Sequence, residues 1–251
     1  MFSGVARRTA AERATRPART YDPEQTLERL VEAGVDLFGR QGFHNTSVRE
    51  MVDAAGLTKG AFYHHFESKE ELLHLIHDRF IDLQLAGQKL IFAEVKTSHE
   101  RLYHLVRLLT FVVARYPNEV AVYFQEHRVL AGVAFTDVSN KRSKARRAFI
   151  DVIADGVANG EFRPDTQPEM AAMGVLGMGN WIYQWYSDET PWSAAEIAHS
   201  FGLMALRGLT AKPRSVARIA DRELDPGRDP VLRLLEQAQA GGRRSPLYAP
   251  S

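Results

Sequence analysis

Apolar residues recur along this chain at the three- and four-residue spacing of helices, segment after segment, which predicts an all-α fold. The first helix opens at Asp22, with Pro23 and Gln25 in its first and third positions. It continues through Leu27, Leu30, Gly34, Leu37 and Phe38 and closes at Gly42, after which Phe43 returns to the core. Ser47 and Glu50 form a capping box for a short second helix with apolar face Val48, Met51 and Val52, ended by Gly56. Thr58 caps a third helix, Lys59 to Phe66, in which Phe62 and Phe66 face inward. Ser68 with Glu71 opens a long fourth helix reaching about Val95, buried along Leu72, Leu73, Leu75, Ile76, Phe80, Ile81 and Leu83. Short helix, glycine-containing turn and short helix make a helix-turn-helix.

Beyond it, Thr97 and Glu100 open a helix to about Tyr116-Pro117 that is apolar nearly all round and therefore central. Residues 118–130 form another, in which Gln125, Glu126, His127 and Arg128 follow an apolar run. A helix from about Phe135 to Asn159 carries five cations in the seven residues 141–147 and a buried second half at Phe149, Ile150, Ile153 and Val157. Thr166 and Glu169 are expected to cap the next, with Pro168 in its first turn. The 18 residues 170–187 hold no charge. Asn180, Gln184, three glycines and the lack of basic flanks argue against a membrane span and for a helix buried on most sides, with Trp181 and Trp185 filling space on one face. Ser193 and Glu196 cap a last helix to about Leu206, with Trp192 and Ile197 placed as a hydrophobic staple. The tail, residues 211–251, is rich in Arg, Pro and Gly and predicted mostly disordered, apart from a short helix at 230–238.

Composition narrows the class. With 251 residues, 45% hydrophobic and 25% charged, the chain is an ordinary globular protein with room for a substantial core. It has no cysteine, so disulfides and thiolate chemistry are excluded, and a cytoplasmic location is expected. The net charge of +1 is unevenly spread: residues 1–20 hold five arginines against one glutamate, a composition that predicts a disordered basic arm. Residues 21–70 instead carry nine acids against five bases. His74 and His77 have metal-ligand spacing, but no third and fourth ligand accompanies them, so neither a metal nor a cofactor is expected. Glu126 and His127 could suggest acid-base chemistry, yet adjacent helical residues do not face one atom together. No nucleophile elbow or Gly-rich phosphate loop accompanies them, so the chain is not expected to be an enzyme.

Gly60 stands inside a helix at a cost of about 1 kcal/mol against Ala, so something needs its missing side chain. Close approach of a DNA backbone is one such need, and Lys59, Tyr63 and His64 point outward as donors for phosphates and base edges. The run T-S-V-R-E-M-V-D-A-A-G-L-T-K-G-A-F-Y-H-H-F-E-S-K-E-E-L-L resembles the DNA-binding domain of the TetR family of bacterial transcriptional regulators, over Thr20 to about Phe80. The resemblance implies a homodimer on double-stranded operator DNA, usually as a repressor, with a helix-turn-helix domain (residues 21–67) and a ligand-binding and dimerisation domain (68–210). By that motif Lys59, Gly60, Tyr63, His64 and Lys69, with Thr46 and Ser47, are expected DNA contacts.

Within residues 118–208, Q-E-H-R-V-L, F-R-P-D, G-N-W-I-Y-Q-W-Y-S and P-W-S-A-A-E-I-A are similar to TetR regulators of fatty-acid, phenylacetate and steroid catabolism that respond to acyl-CoA thioesters. That likeness implies an aromatic cavity for an acyl chain, with Arg142 and Arg146 for CoA phosphates. The expected ligand set is Tyr103, Tyr123, His127, Arg142, Arg146, Phe149, Met178, Trp181 and Trp185. The competing reading is a multidrug-type pocket for an aromatic cation, with Glu126 and the tryptophans as its partners.

Overall fold

The computed structural model describes residues 22–126, 129–187 and 189–211, with 231 and 233. Among them run α1 (Pro23–Gln41), α2 (Val48–Ala55), α3 (Lys59–His65), α4 (Lys69–Glu94), α5 (Ser98–Arg115), α6 (Pro117–Gln125), α7 (Gly132–Ala158), α8 (Pro168–Asn180) and α9 (Ala194–Leu209). A single 3-10 turn, Trp181–Gln184, follows α8. The basic arm, residues 1–20, and His127 lie outside the described residues, as does the tail after 211 except Val231 and Arg233. Val231 is buried and Arg233 pairs with Glu94 at the end of α4.

The helix starts follow from local chemistry. Asp22 accepts from the amides of Glu24 and Gln25, and both Ser47–Glu50 and Ser193–Glu196 close as reciprocal capping boxes. Ser68 caps α4 through the Glu71 amide, while the Glu71 carboxylate takes the amide of Glu67 instead of Ser68. At α8 the expectation fails: Gln167 occupies the cap position with no side-chain bond.

The amino-terminal unit packs Leu30, Val31, Val35 and Phe38 of α1 with Met51, Val52, Phe62 and Phe66 and with Leu72 and Leu73 of α4 in one core. A Cβ on Gly34 would lie 2.8 Å from Leu72, so this glycine lets α1 and α4 close up. α5 is central, as its all-round apolar pattern predicts, and α9 lies along it with the backbone of Gly202 against the ring of Tyr103. The far end is tied by Glu161, whose carboxylate accepts the amides of Ser98 and His99 and bonds the His99 ring. Phe162, next to it, is wholly buried against Gly156 and pairs with Thr210 in an isolated bridge.

The uncharged run does not form one buried helix. α8 packs inward through Ala172, Val175 and Gly179, then breaks at Asn180, leaving Trp181 62% and Trp185 40% exposed. Lack of charge set the expectation, but only one face of α8 has helices to cover it; Met170 and Gly174 stand on the open side.

Candidate nucleic-acid interface and effector cavity

α2 and α3 meet at Gly56, whose left-handed backbone (φ 60°) ends α2, and Leu57 returns its amide to Val52. Thr58 caps α3 through the amide of Ala61, and the buried Phe62 and Phe66 fix its inner face. Lys59, Gly60, Tyr63 and His64 are left exposed together on the other, with Ser47 exposed at the start of α2. At Gly60 an added Cβ would meet nothing nearer than Thr58 Oγ1 at 3.7 Å, so no packing inside the protein requires glycine there.

Two expected DNA contacts are turned inward. Thr46 is 1% exposed and its hydroxyl donates to the Gly42 carbonyl. Lys69 donates to the carbonyls of Phe43 and Thr46, each at 2.9 Å, and its ammonium lies 4.3 Å from the Phe43 ring centre. The carbonyls of the turn between α1 and α2 supply both with acceptors.

A cavity of about 270 Å³ lies between α4, α5, α6, α7 and α8. Its walls are Phe80, Ile81, Gln84 and Gln88 of α4, Leu109, Tyr123 and Phe124, then Arg142, Ala145, Arg146 and Phe149 of α7, and Met173, Leu176, Gly177 and Asn180 of α8. The Arg142 guanidinium sits 5.0 Å from the Tyr123 ring centre, and burial pushes the Tyr123 hydroxyl up to about 12, against the pull of Arg142. That hydroxyl therefore stays a neutral donor. Arg146 and Met173 also line a recess outside the cavity with Ser143, Arg147, Ile150 and Glu169, so the cationic side of the cavity reaches the surface.

Of the expected ligand set, Tyr123, Arg142, Arg146 and Phe149 come together here. Tyr103 does not: it is buried in the α5–α9 seam with its hydroxyl 2.7 Å from His199 Nδ1. Met178, Trp181 and Trp185 are also absent from the walls, because the α8 face that meets the cavity carries Met173, Leu176, Gly177 and Asn180. Gln84 and Gln88 were missed; two amides four apart on an otherwise apolar helix face were the signal. Glu126 is not a wall residue either: it accepts the Phe43 amide at 3.0 Å, bracing the turn after α1. The described walls therefore contain two arginines and no carboxylate.

His77 is buried, with Nδ1 2.9 Å from the Leu73 carbonyl. His74 gathers with Asp78 and Asp137, but Lys141 already bridges Asp78, Asp82 and Asp137. Burial works against that ammonium, yet its bonds to Asp78 and Asp82 more than offset this and raise its pKa.

Two family signatures match in tandem: "Bacterial regulatory proteins, tetR family" over residues 30–76 and "Tetracyclin repressor-like, C-terminal domain" over 95–209. The chain belongs to the TetR family. It is thus a helix-turn-helix transcriptional regulator and not an enzyme. The HTH-type transcriptional repressor KstR2 of Mycolicibacterium smegmatis is 26% identical over 77% of this chain and 95% of its own length. The structure of ketosteroid transcriptional regulator KstR2 of Mycobacterium tuberculosis superposes with TM-score 0.70 at 26% identity, covering 74% of this chain and 95% of that one. AibR in complex with isovaleryl coenzyme A and operator DNA gives TM-score 0.63 at 26% identity, covering 71% and 97%. Among the described residues no helix is long and apolar enough to cross a membrane.

Proposed function

We propose that this TetR-family regulator is a homodimeric cytoplasmic repressor, released from its operator by an acyl-CoA thioester. The observation that carries the reading is the cavity itself: apolar and aromatic walls, two arginines on one side, and no carboxylate among the described lining residues. An apolar acyl group suits the walls, and guanidinium forks suit phosphates. The similarity to the repressor KstR2 supports repression, and the similarity to AibR bound to isovaleryl coenzyme A and operator DNA supports the effector class. A cationic effector finds no carboxylate among the described lining residues, since Glu126 is engaged with Phe43, and Trp181 and Trp185 lie outside the walls.

Ser47, Lys59, Gly60, Tyr63 and His64 are the groups offered to the major groove, one set from each subunit. The thioester releases DNA only by its difference in affinity for the two conformations; selectivity of 10⁴ corresponds to roughly 5.5 kcal/mol. The test is a mobility-shift titration on the DNA upstream of the protein's own gene, at fixed salt, with acyl-CoA thioesters and their free acids. Release by thioesters alone is the expected result. Specific binding that no thioester disturbs would leave the regulator standing and remove the effector class.

A further inference from the structure

Two glutamines one helical turn apart stand on the α4 wall of the cavity, and they differ in what they bond. Gln88 donates its amide to the Ala145 carbonyl at 3.1 Å, joining α4 to α7. Gln84 is only 5% exposed, lines the cavity, and its Nε2 has no acceptor among the described residues. A buried donor without a partner is costly, whereas Leu or Met would fill similar space at no such cost. The neighbouring wall positions, Phe80 and Ile81, make that choice. The amide therefore answers to something that enters the cavity, and a donor calls for an oxygen acceptor.

We infer that Gln84 is a specificity-determining residue that donates a hydrogen bond to an oxygen of the effector's acyl portion. The inference rests on the acyl-thioester reading above and adds to it a polar requirement inside the apolar part of the site. Two oxygens offer this chemistry: the thioester carbonyl, or a keto or hydroxyl group on the acyl body. A fully reduced alkyl group offers neither. Sites built to bond a ligand oxygen reject analogues lacking it, because the buried donor is then left unpaired. Arg142 and Arg146 face the same cavity from α7, so anion binding and oxygen reading fall on two adjoining helices.

The experiment is calorimetric titration of the full chain with octanoyl-CoA, with the thioether S-octyl-CoA, and with 3-oxo- and 7-oxo-octanoyl-CoA. It is repeated for Gln84→Met, which keeps the size and removes the donor, and Gln84→Glu, which replaces the donor by an acceptor. If the thioester oxygen is read, the wild type binds octanoyl-CoA about tenfold tighter than the thioether, and Gln84→Met abolishes the difference. If an oxygen of the acyl body is read, an oxo compound binds about tenfold tighter than octanoyl-CoA, again only with Gln84 present. Gln84→Glu binds the preferred compound more weakly than wild type in either case. Equal wild-type affinity for all four compounds overturns the inference, and so does discrimination that persists in Gln84→Met. Should one variant not fold, as judged by helical circular dichroism, the other, which also lacks the donor, carries the comparison with wild type. Failure of the wild type to bind any of them is a different result, which removes the acyl-thioester reading itself.

Discussion

At Gly60, stability and the proposed recognition can be tested apart. The glycine sits in the first turn of an exposed helix with space around it, so the protein's own packing leaves room for a methyl group. Gly60→Ala is therefore expected to keep or raise the melting temperature, since Ala is favoured in helices by up to about 1 kcal/mol. Operator affinity is expected to fall, because the added Cβ would stand where the DNA backbone approaches. Titrating the variant against operator DNA checks this: unchanged affinity would remove Gly60 from the interface. Lys69 makes the complementary point. Its charge looked available in the sequence, but two carbonyls and an aromatic ring of its own protein hold it.

At the scale of elements, what local bonds decide was legible and what distant packing decides was not. Asp22, Ser47, Thr58 and Ser193 announce their helices because a cap depends on residues two or three positions away. The cavity needs five helices at once, so Tyr103 and Tyr123, alike in the sequence, part company only when α9 covers one of them. Nor does any spacing reveal the tie made by Glu161, which reaches back 62 residues to His99. Burial raises the pKa of that carboxyl, but the amides of His99 and Ser98 and the His99 ring outweigh it, and the net shift is downward. A lowered folded pKa means that Glu161 stabilises the fold above its unfolded value of 4.5, and that this contribution is lost as pH falls through the folded pKa. Glu161→Gln is accordingly expected to melt a few degrees below wild type near neutral pH, with the gap closing as the solution is acidified below the unfolded value. A gap that stays constant across that range would show the carboxylate charge to be irrelevant.

For the whole molecule, the open sides of α8 and α9 present Met170, Met173, Trp181 and Met204 to solvent in the single chain. The dimer proposed above is expected to cover these side chains. Met204→Glu, at 56% exposure, leaves the monomer's core untouched and is expected to give monomers in analytical ultracentrifugation, together with a large loss of operator affinity as the two half-sites bind separately. A dimer that survives this change would have to pair through other surfaces. Two of the helices that wall the cavity, α4 and α6, also share a second task. α4 holds the turn after α1 through Lys69, and α6 holds it through Glu126, so one short turn, Gly42 to Thr46, is gripped from both sides. In genetic terms, such a regulator can be made deaf in two ways. On the reading proposed above, alleles that no longer receive the signal are expected on the cavity walls, scattered from Phe80 to Asn180. Alleles that receive it and cannot pass it on are expected at Phe43, Lys69 and Glu126, which stand apart from those walls.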